Sequence, residues 1–225
     1  MKPMQRGFTL VEIAIVLVII GLLIGGVLKG QELITQAKIK NVVADLTGIS
    51  AGVLGYQDRY RSLPGDDGGA AGRWATAPAA VSGNANGQIA GSYNADCAAG
   101  TAPESCQWWD HLRRSGLISG AGARQPTNAL GGIVGVQMGD AGTPIGPVLG
   151  ADATGSGGIT GLILCSANLP DKIAQAIDVQ LDDGVPSTGS VRAQLQSDAN
   201  PAVAKQAATA YAETGTNQYL VCRTL

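Results

Sequence analysis

Residues 1–28 read MKPMQRGFTLVEIAIVLVIIGLLIGGVL, a basic leader followed by a long apolar run. The run from Phe8 to Leu28 is long enough for a helix to cross a hydrocarbon core of about 30 Å. It contains one charged residue, Glu12. A carboxylate at the centre of such a span costs about 2.5–3.5 kcal/mol, so Glu12 is expected to have a partner. The stretch therefore predicts a membrane helix that also associates.

The candidate cleavage site of this stretch lies before the apolar run. An ordinary secretory signal is cut after its apolar region and loses that region. Here a cut between Gly7 and Phe8 would remove Lys2 and Arg6 but leave the hydrophobic helix on the mature chain. Before the cut, the basic leader holds the N-terminus in the cytoplasm and directs the remainder outward.

The sequence GFTLVE followed by about twenty apolar residues resembles the class III signal of type IV prepilins and type II secretion pseudopilins. The resemblance implies that prepilin peptidase cuts after Gly7 and that the new N-terminus, Phe8, is methylated. It also implies that Glu12 pairs with the N-terminal amine of a neighbouring subunit. An amine and a carboxylate in an apolar bundle neutralise each other, whereas either alone is costly. A plain signal-anchor with an incidental glutamate is the alternative.

An amphipathic pattern continues beyond Lys29. Apolar residues recur mostly at three- or four-residue steps as far as about Arg61, where Leu63-Pro64-Gly65 ends the pattern. A helix from Phe8 to Arg61 would be roughly 80 Å long. The sequence thus predicts four segments, namely a cleaved leader (1–7), a transmembrane and assembly helix (8–28), its amphipathic continuation (29–61) and a globular head (62–225).

Four glycines interrupt the first half of this helix: Gly21, Gly25, Gly26 and Gly30. Each costs roughly 0.5–1 kcal/mol relative to alanine in a helix interior. Their four-residue spacing favours close helix packing, whereas the pilin resemblance implies local unwinding when subunits pack into a filament. Both interpretations stay open.

The composition of the head indicates a loop-rich domain. The chain has 225 residues, with 33 Gly, 10 Pro and one Phe. This length allows one sizeable domain in addition to the anchor. A long surface loop is expected to about Gly100, followed by a short helix over 105–116 with Ser105 as N-cap and with Trp108 and Leu112 on one buried face.

Beyond Leu117 the pattern changes to strands and turns. Two further short helices are considered, over Asp171–Ile177 and Pro201–Ala212. An antiparallel sheet packed on the amphipathic half of the N-terminal helix follows, an α+β class that the pilin resemblance also implies. The candidate strands are Gly132–Gln137, Gly161–Cys165, Asp178–Leu181, Val191–Gln194 and Gln218–Cys222.

The four cysteines predict disulfides, because the head is expected outside the cytoplasm. Three pairings are open. Cys97–Cys106 is favoured because it would staple a flexible loop, and Cys165–Cys222 because it would tie the C-terminal region to an apolar segment. Zinc is disfavoured, since no CxxC pair is present and His111 is the only histidine.

The remaining polar groups give weak signals for chemistry. A catalytic triad would have to use His111, for which a surface or interface position is predicted instead. The acids Asp66-Asp67 and Asp178…Asp182-Asp183 could together hold Ca²⁺, but Asp before Gly favours turns, so no cofactor is predicted and calcium is the open alternative. Solvated or intersubunit charges are expected at Arg59, Arg61, Arg113, Arg114 and Arg124. Trp108 and Trp109 are expected in the core.

The leading interpretation is a structural subunit and not an enzyme, namely a pilin that polymerises through its N-terminal helix into a type IV pilus. Its expected partners are further copies of itself, prepilin peptidase, the inner-membrane assembly machinery and, before assembly, the lipid bilayer. With a net charge of −2, a specific nucleic-acid ligand is not expected. The prepilin is expected in the inner membrane with its head in the periplasm, and the assembled fimbrium outside the cell.

Two alternatives remain for this interpretation. One is a pseudopilin or minor pilin of a type II secretion or DNA-uptake system. The other is a membrane-tethered periplasmic binding protein or enzyme that uses the anchor only for location. The second alternative predicts an uncut leader and a monomeric head.

Overall fold

The computed structural model describes residues 9–98, 102–140 and 146–225. The first element is a continuous helix, α1 (Leu10–Tyr60). The chain divides into two units at Lys38 and Ile39. In the first unit, the described residues form the N-terminal part of α1, and their side chains are mostly exposed.

The second unit contains the rest of α1 and all the other elements. These are α2 (Ala70–Arg73), α3 (Glu104–Arg114), β1 (Val134–Met138), β2 (Leu162–Pro170), α4 (Asp171–Leu181), β3 (Val191–Leu195) and β4 (Gln218–Thr224). The strands form one sheet in the order β1-β2-β4-β3. Every neighbouring pair is antiparallel. A long N-terminal helix followed by an antiparallel sheet confirms the predicted α+β, pilin-like class.

The main core lies between α1 and one face of the sheet. The buried residues of α1 recur at three- or four-residue steps from Ile39 to Tyr56, as the sequence pattern predicts. They share a core cluster with α3 and with alternate strand residues, among them Val134, Leu164 and Val221. The intervening strand residues, such as Ile163 and Leu220, form a second cluster on the other face.

α1 ends one residue before the predicted position. Arg61 has φ 55°, a left-handed conformation that stops the helix. Gly65 follows with φ 85°, and a Cβ at this position would lie 2.5 Å from the carbonyl oxygen of Glu104. Only glycine therefore lets this turn approach α3 so closely.

The predicted elements of the head needed three corrections. α3 begins at Glu104 after Pro103, so Ser105 is not the N-cap of this helix. The hydroxyl of Ser105 donates to the carbonyl of Ser92 instead. The predicted strand 178–181 is the last part of α4. Ile173 and Ile177 are buried four residues apart, which is helical spacing, while Val179 is exposed.

The third correction concerns residues 201–212, which are not helical. Their backbone groups bond to neighbouring segments and are not available for a helix. Ala208 donates to the carbonyl of Ala193 on β3, and the carbonyl of Ala204 accepts from Leu149. The backbone N–H of Ala207 donates to Gly150. The segment therefore packs as irregular chain against β3 and residues 149–150.

Candidate assembly site

A reciprocal pair of hydrogen bonds joins Thr9 and Glu12 at the start of α1. The carboxylate oxygen Oε2 of Glu12 accepts from the backbone N–H and from the hydroxyl of Thr9, each at 2.8 Å. The backbone N–H of Glu12 donates back to Oγ1 of Thr9 at 3.3 Å. Thr9 is the N-cap and Glu12 the third helical residue, so this is a capping box.

The capping box was missed in the sequence, although T-x-x-E before an apolar run is its signature. It shows that Glu12 has a partner within its own chain. Only one carboxylate oxygen is used, and Oε1 has no partner among the residues that the structure describes. Gly7 and Phe8, the predicted processing residues, lie outside the described residues.

The helix that follows the capping box exposes its apolar side chains on all sides. An 18-residue window of α1 has a mean hydropathy of 2.9, and none of that window is buried. The side chains from Leu10 to Leu28 thus find no packing partner within the described chain. A soluble helix has one apolar face, whereas an all-round apolar surface requires lipid or other helices.

The four glycines of this region lie in unbroken helix. A Cβ added to Gly21, Gly25, Gly26 or Gly30 would meet nothing within 4 Å. No contact within the described chain therefore requires a glycine at these positions. Both interpretations from the sequence, close packing against other helices and local unwinding in a filament, stay predictions.

A buried ionic network fixes the segment that follows α1. Asp67 accepts from the hydroxyl of Tyr56 at 2.6 Å, from Nη1 of Arg73 at 2.6 Å and from the backbone N–H of Gly69 at 2.8 Å. Burial opposes ionisation of Asp67, but these three donors outweigh it, so its pKa lies below the usual value. The carboxylate is therefore a structural anion that joins α1 to α2.

The sequence prediction for His111 was wrong, because this residue is fully buried and not on the surface. Its Nδ1 accepts from the backbone N–H of Gly65 at 2.9 Å, and its Nε2 lies 2.8 Å from the carbonyl oxygen of Val81. A neutral ring that carries its proton on Nε2 satisfies both groups. The side chain thus joins α3 to two loops, and both ring nitrogens are used structurally.

An acidic cluster lies at the end of α4. Oxygen atoms of Asp178, Asp182 and Asp183 lie within 4.8 Å of one another. Burial, reinforced by the charges of Asp183 and Asp182, raises the pKa of Asp178, although Tyr211 and Gly184 donate to it. The groups that donate to Asp182 and Asp183 are the backbone N–H groups of Ser190, Val191 and Val185 and the hydroxyl of Thr188.

These bonds favour the turn interpretation of the acidic cluster, because each carboxylate already closes a loop. Asp66 and Asp67 do not join it among the described residues. Asp66 instead accepts from the backbone N–H groups of Asn86 and Gly87. The convergence of the two acidic runs that a calcium site would need is thus not found in the part of the chain described.

The aromatic and basic side chains of α3 also act within the fold. Trp108 and Trp109 are fully buried, as predicted, and offer no stacking surface. Arg113 donates to the carbonyls of Gly122 and Arg124. Arg114 forms an ion pair with Asp110 of the same helix at 2.6 Å and donates to the carbonyl of Pro78 in a loop. These cations therefore brace loops, while Arg61 is an exposed charge.

Two disulfides stabilise the head, and they are the pairs that the sequence favoured. Cys97–Cys106 joins the loop to α3. Cys165 and Cys222 lie directly opposite each other on β2 and β4, and their disulfide belongs to the second core cluster, on the sheet face away from α1. The C-terminal strand is thus covalently fixed to the centre of the sheet.

Comparison with known protein families identifies a motif at the N-terminus. Residues 2–28 match the family model described as the prokaryotic N-terminal methylation motif, the signature of type IV pilins and pseudopilins. No curated protein and no solved structure matches the chain. The match includes the leader, Glu12 and the exposed apolar helix. The resemblance is thus confirmed at the N-terminus, and the apolar helix with this motif fits membrane anchoring as a prepilin.

Proposed function

We propose that the chain is a structural subunit of a type IV pilus, made as a prepilin and polymerised through α1. The observation that carries this proposal is the methylation motif at residues 2–28. In this mechanism prepilin peptidase cuts between Gly7 and Phe8 and methylates Phe8. Before assembly, the subunit lies in the inner membrane with its head in the periplasm. The assembly machinery then extracts it into the growing filament.

The exposed apolar helix supports assembly as the mechanism. In the membrane, residues 8–28 would contact lipid, and in the filament they would pack against the same helix of other copies. Their apolar surface would thus stay out of water in both states. Residues 29–61 would continue the helix into the head, 62–225. Because Glu12 is the one charge in the apolar run, its partner in the filament core must be a cation or a hydrogen-bond donor. The methylated N-terminal amine of a neighbour is that partner in our proposal.

The second carboxylate oxygen of Glu12, Oε1, to which no described residue donates, fits this pairing. Oε2 is bonded to Thr9, which orients the carboxylate at the helix start. Oε1 stays available for a donor from a second copy. The same side chain would thus start its own helix and bind its neighbour.

The mature N-terminus provides the first test. Mass spectrometry of the protein from its host should find a chain that begins with Phe8 carrying one methyl group. The matched control is the same protein from a strain without prepilin peptidase, which should keep Met1. A mature protein that starts at Met1 in the normal strain would overturn the proposal and favour a tethered periplasmic protein.

The location of the filament provides the second test. Sheared surface filaments in which this chain is the main component would support a pilus subunit. The shared motif leaves a pseudopilin or minor pilin of a secretion or DNA-uptake system as the alternative. In that case processed Phe8 would be found, but the chain would be absent from surface filaments or a trace component of them.

A further inference from the structure

A groove of about 540 Å³ lies between α1 and the sheet, within the unit that begins at Ile39. Val53 and Leu54 of α1 form one side, and Met138 and Leu162, which are paired at the ends of β1 and β2, form the other. Leu54 is 67% exposed, so part of this apolar wall faces solvent in the single chain. The groove can therefore bury apolar side chains of a partner.

A cation lines the same groove. On β4, Tyr219 and Val221 contribute to the core that includes α1, and Arg223 follows them on the same face of the sheet. Its Nη1 is buried and has no hydrogen-bond partner among the described residues. A guanidinium keeps its charge in proteins, and a buried charged donor without an acceptor is unfavourable. Arg223 thus presents an unused cationic donor inside the groove, to which a carboxylate is the complementary group.

The chain itself carries a segment with this chemistry. On α1, Glu32 lies between two leucines, since Leu28 is four residues before it and Leu33 is about 100° further round the helix. Leu28 and Leu33 are 61% and 62% exposed. Glu32 forms an exposed ion pair with Lys29 at 2.6 Å. An exposed pair of this kind is weak and easily exchanged for a buried partner.

We propose that this groove binds α1 of a second copy, with Leu33 against the apolar wall and the carboxylate of Glu32 on the guanidinium of Arg223. The inference rests on the proposed assembly function and names one contact by which neighbouring subunits are joined. Lys29 turns to solvent in this contact. The pairing supplies Arg223 with the acceptor that the described residues of its own chain do not provide, and it buries Leu33, which is exposed in the single chain.

Charge exchange tests the ion pair in the full chain, expressed in its host. Arg223→Glu and Glu32→Lys should each reduce the yield of sheared filaments roughly tenfold or more, since truncating or reversing one member of a buried pair is strongly unfavourable. The double variant should recover most of the yield. Arg61→Glu, the same charge change at an exposed residue, is the matched control and should assemble normally. If the double variant does not recover the filament yield, the proposed pairing is wrong.

Photo-cross-linking tests the contact without changing a charge. A benzophenone amino acid at Leu54 should give covalent dimers in wild-type filaments, and trypsin should place the cross-link in the peptide Gly30–Lys38, which contains Leu33. Cross-links to another peptide, to another protein or to lipid would overturn the inference. If the unmodified chain forms no filaments at all, the proposed function fails; if it forms filaments that are indifferent to these changes, only this contact fails.

Discussion

Thr9 and Glu12 are joined by three hydrogen bonds at the first turn of α1. The acid of the methylation motif is therefore also the glutamate at the third helical position of a capping box. A loss of assembly in a Glu12→Ala variant would mix two effects, since the substitution removes both the cap and the charge. A variant that keeps the cap but lacks the charge separates the two effects.

The first prediction uses Glu12→Gln as the separating variant. Glutamine serves in a capping box as glutamate does, but it carries no charge. If assembly needs the charge, Glu12→Gln and Glu12→Ala should both be inserted and processed and should both fail to form filaments. Thr9→Ala removes the cap, costs about 1 kcal/mol at the helix end and should still assemble. The measurement is the sheared filament yield per processed subunit in the membrane. Normal filaments from Glu12→Gln would contradict the intersubunit charge pair.

The second prediction concerns the buried anion Asp67. Asp67→Ala leaves the hydroxyl of Tyr56 and the guanidinium of Arg73 without their acceptor, and we expect a loss of about 3 kcal/mol in the free energy of unfolding. Asp58→Ala is the control, because its pair with Arg61 is more than 80% exposed at both ends and should contribute less than about 1 kcal/mol. Urea denaturation of the full chain in detergent, followed by near-ultraviolet circular dichroism, measures both. Equal effects would contradict the structural role of Asp67.

The parts of the fold that were predicted correctly have strong local signals. The period of the apolar residues predicted α1 to within one residue of its end at Tyr60. The prediction failed at α4, where Asp178–Leu181 reads as a strand in isolation. Its helical state is decided by tertiary burial of Ile173 and Ile177, which a short window of sequence does not contain.

The polar contacts of Asp67 and His111 in the head were not predicted from the sequence, for a related reason. Asp67 and His111 have partners that are 11 and 46 residues away along the chain. In the sequence, Asp before Gly indicates only a turn. A histidine near Asp110 and Arg113 in an amphipathic pattern favoured a surface or interface position. The Thr9–Glu12 box, in contrast, is local and was visible in the sequence. The sequence interpretation gave Glu12 two roles, a membrane charge and the partner of a neighbour's amine, and neither uses its spacing from Thr9.

The third prediction ranks the two disulfides. Cys165–Cys222 spans 57 residues and Cys97–Cys106 spans 9. In the chain-entropy relation the longer loop contributes about 4 kcal/mol and the shorter about 3 kcal/mol. Cys165 and Cys222 are both fully buried, whereas in the other pair Cys106 is buried and Cys97 only partly so, which widens the difference. Paired Cys→Ala variants, compared in urea denaturation of the full chain, measure the ranking. A larger loss from the Cys97/Cys106 variant would contradict it.

The fourth prediction is that acid destabilises the head through His111. Burial lowers the pKa of His111, although Val81, Asp67 and Asp110 act in the other direction. A second proton would have to enter at Nδ1, where the N–H of Gly65 already points. The unfolded chain takes up this proton near pH 6.5 and the folded chain only at lower pH. The free energy of unfolding should therefore be greatest above about pH 6.5 and fall as the pH decreases toward the folded pKa.

His111→Gln is the matched variant for this prediction, because its amide oxygen can accept from Gly65 and does not titrate. The variant should be less stable than wild type near pH 7.5 but should lose less stability between about pH 7 and 5, the range in which histidine titrates. Titration of Asp178 would change the stability in the opposite direction. Burial raises the pKa of its carboxyl, so protonation of Asp178 stabilises the fold as the pH falls. The measurement is urea denaturation of the full chain in detergent across this range. Because the chain has one histidine, an unchanged pH slope in the variant would show that His111 is not the group responsible.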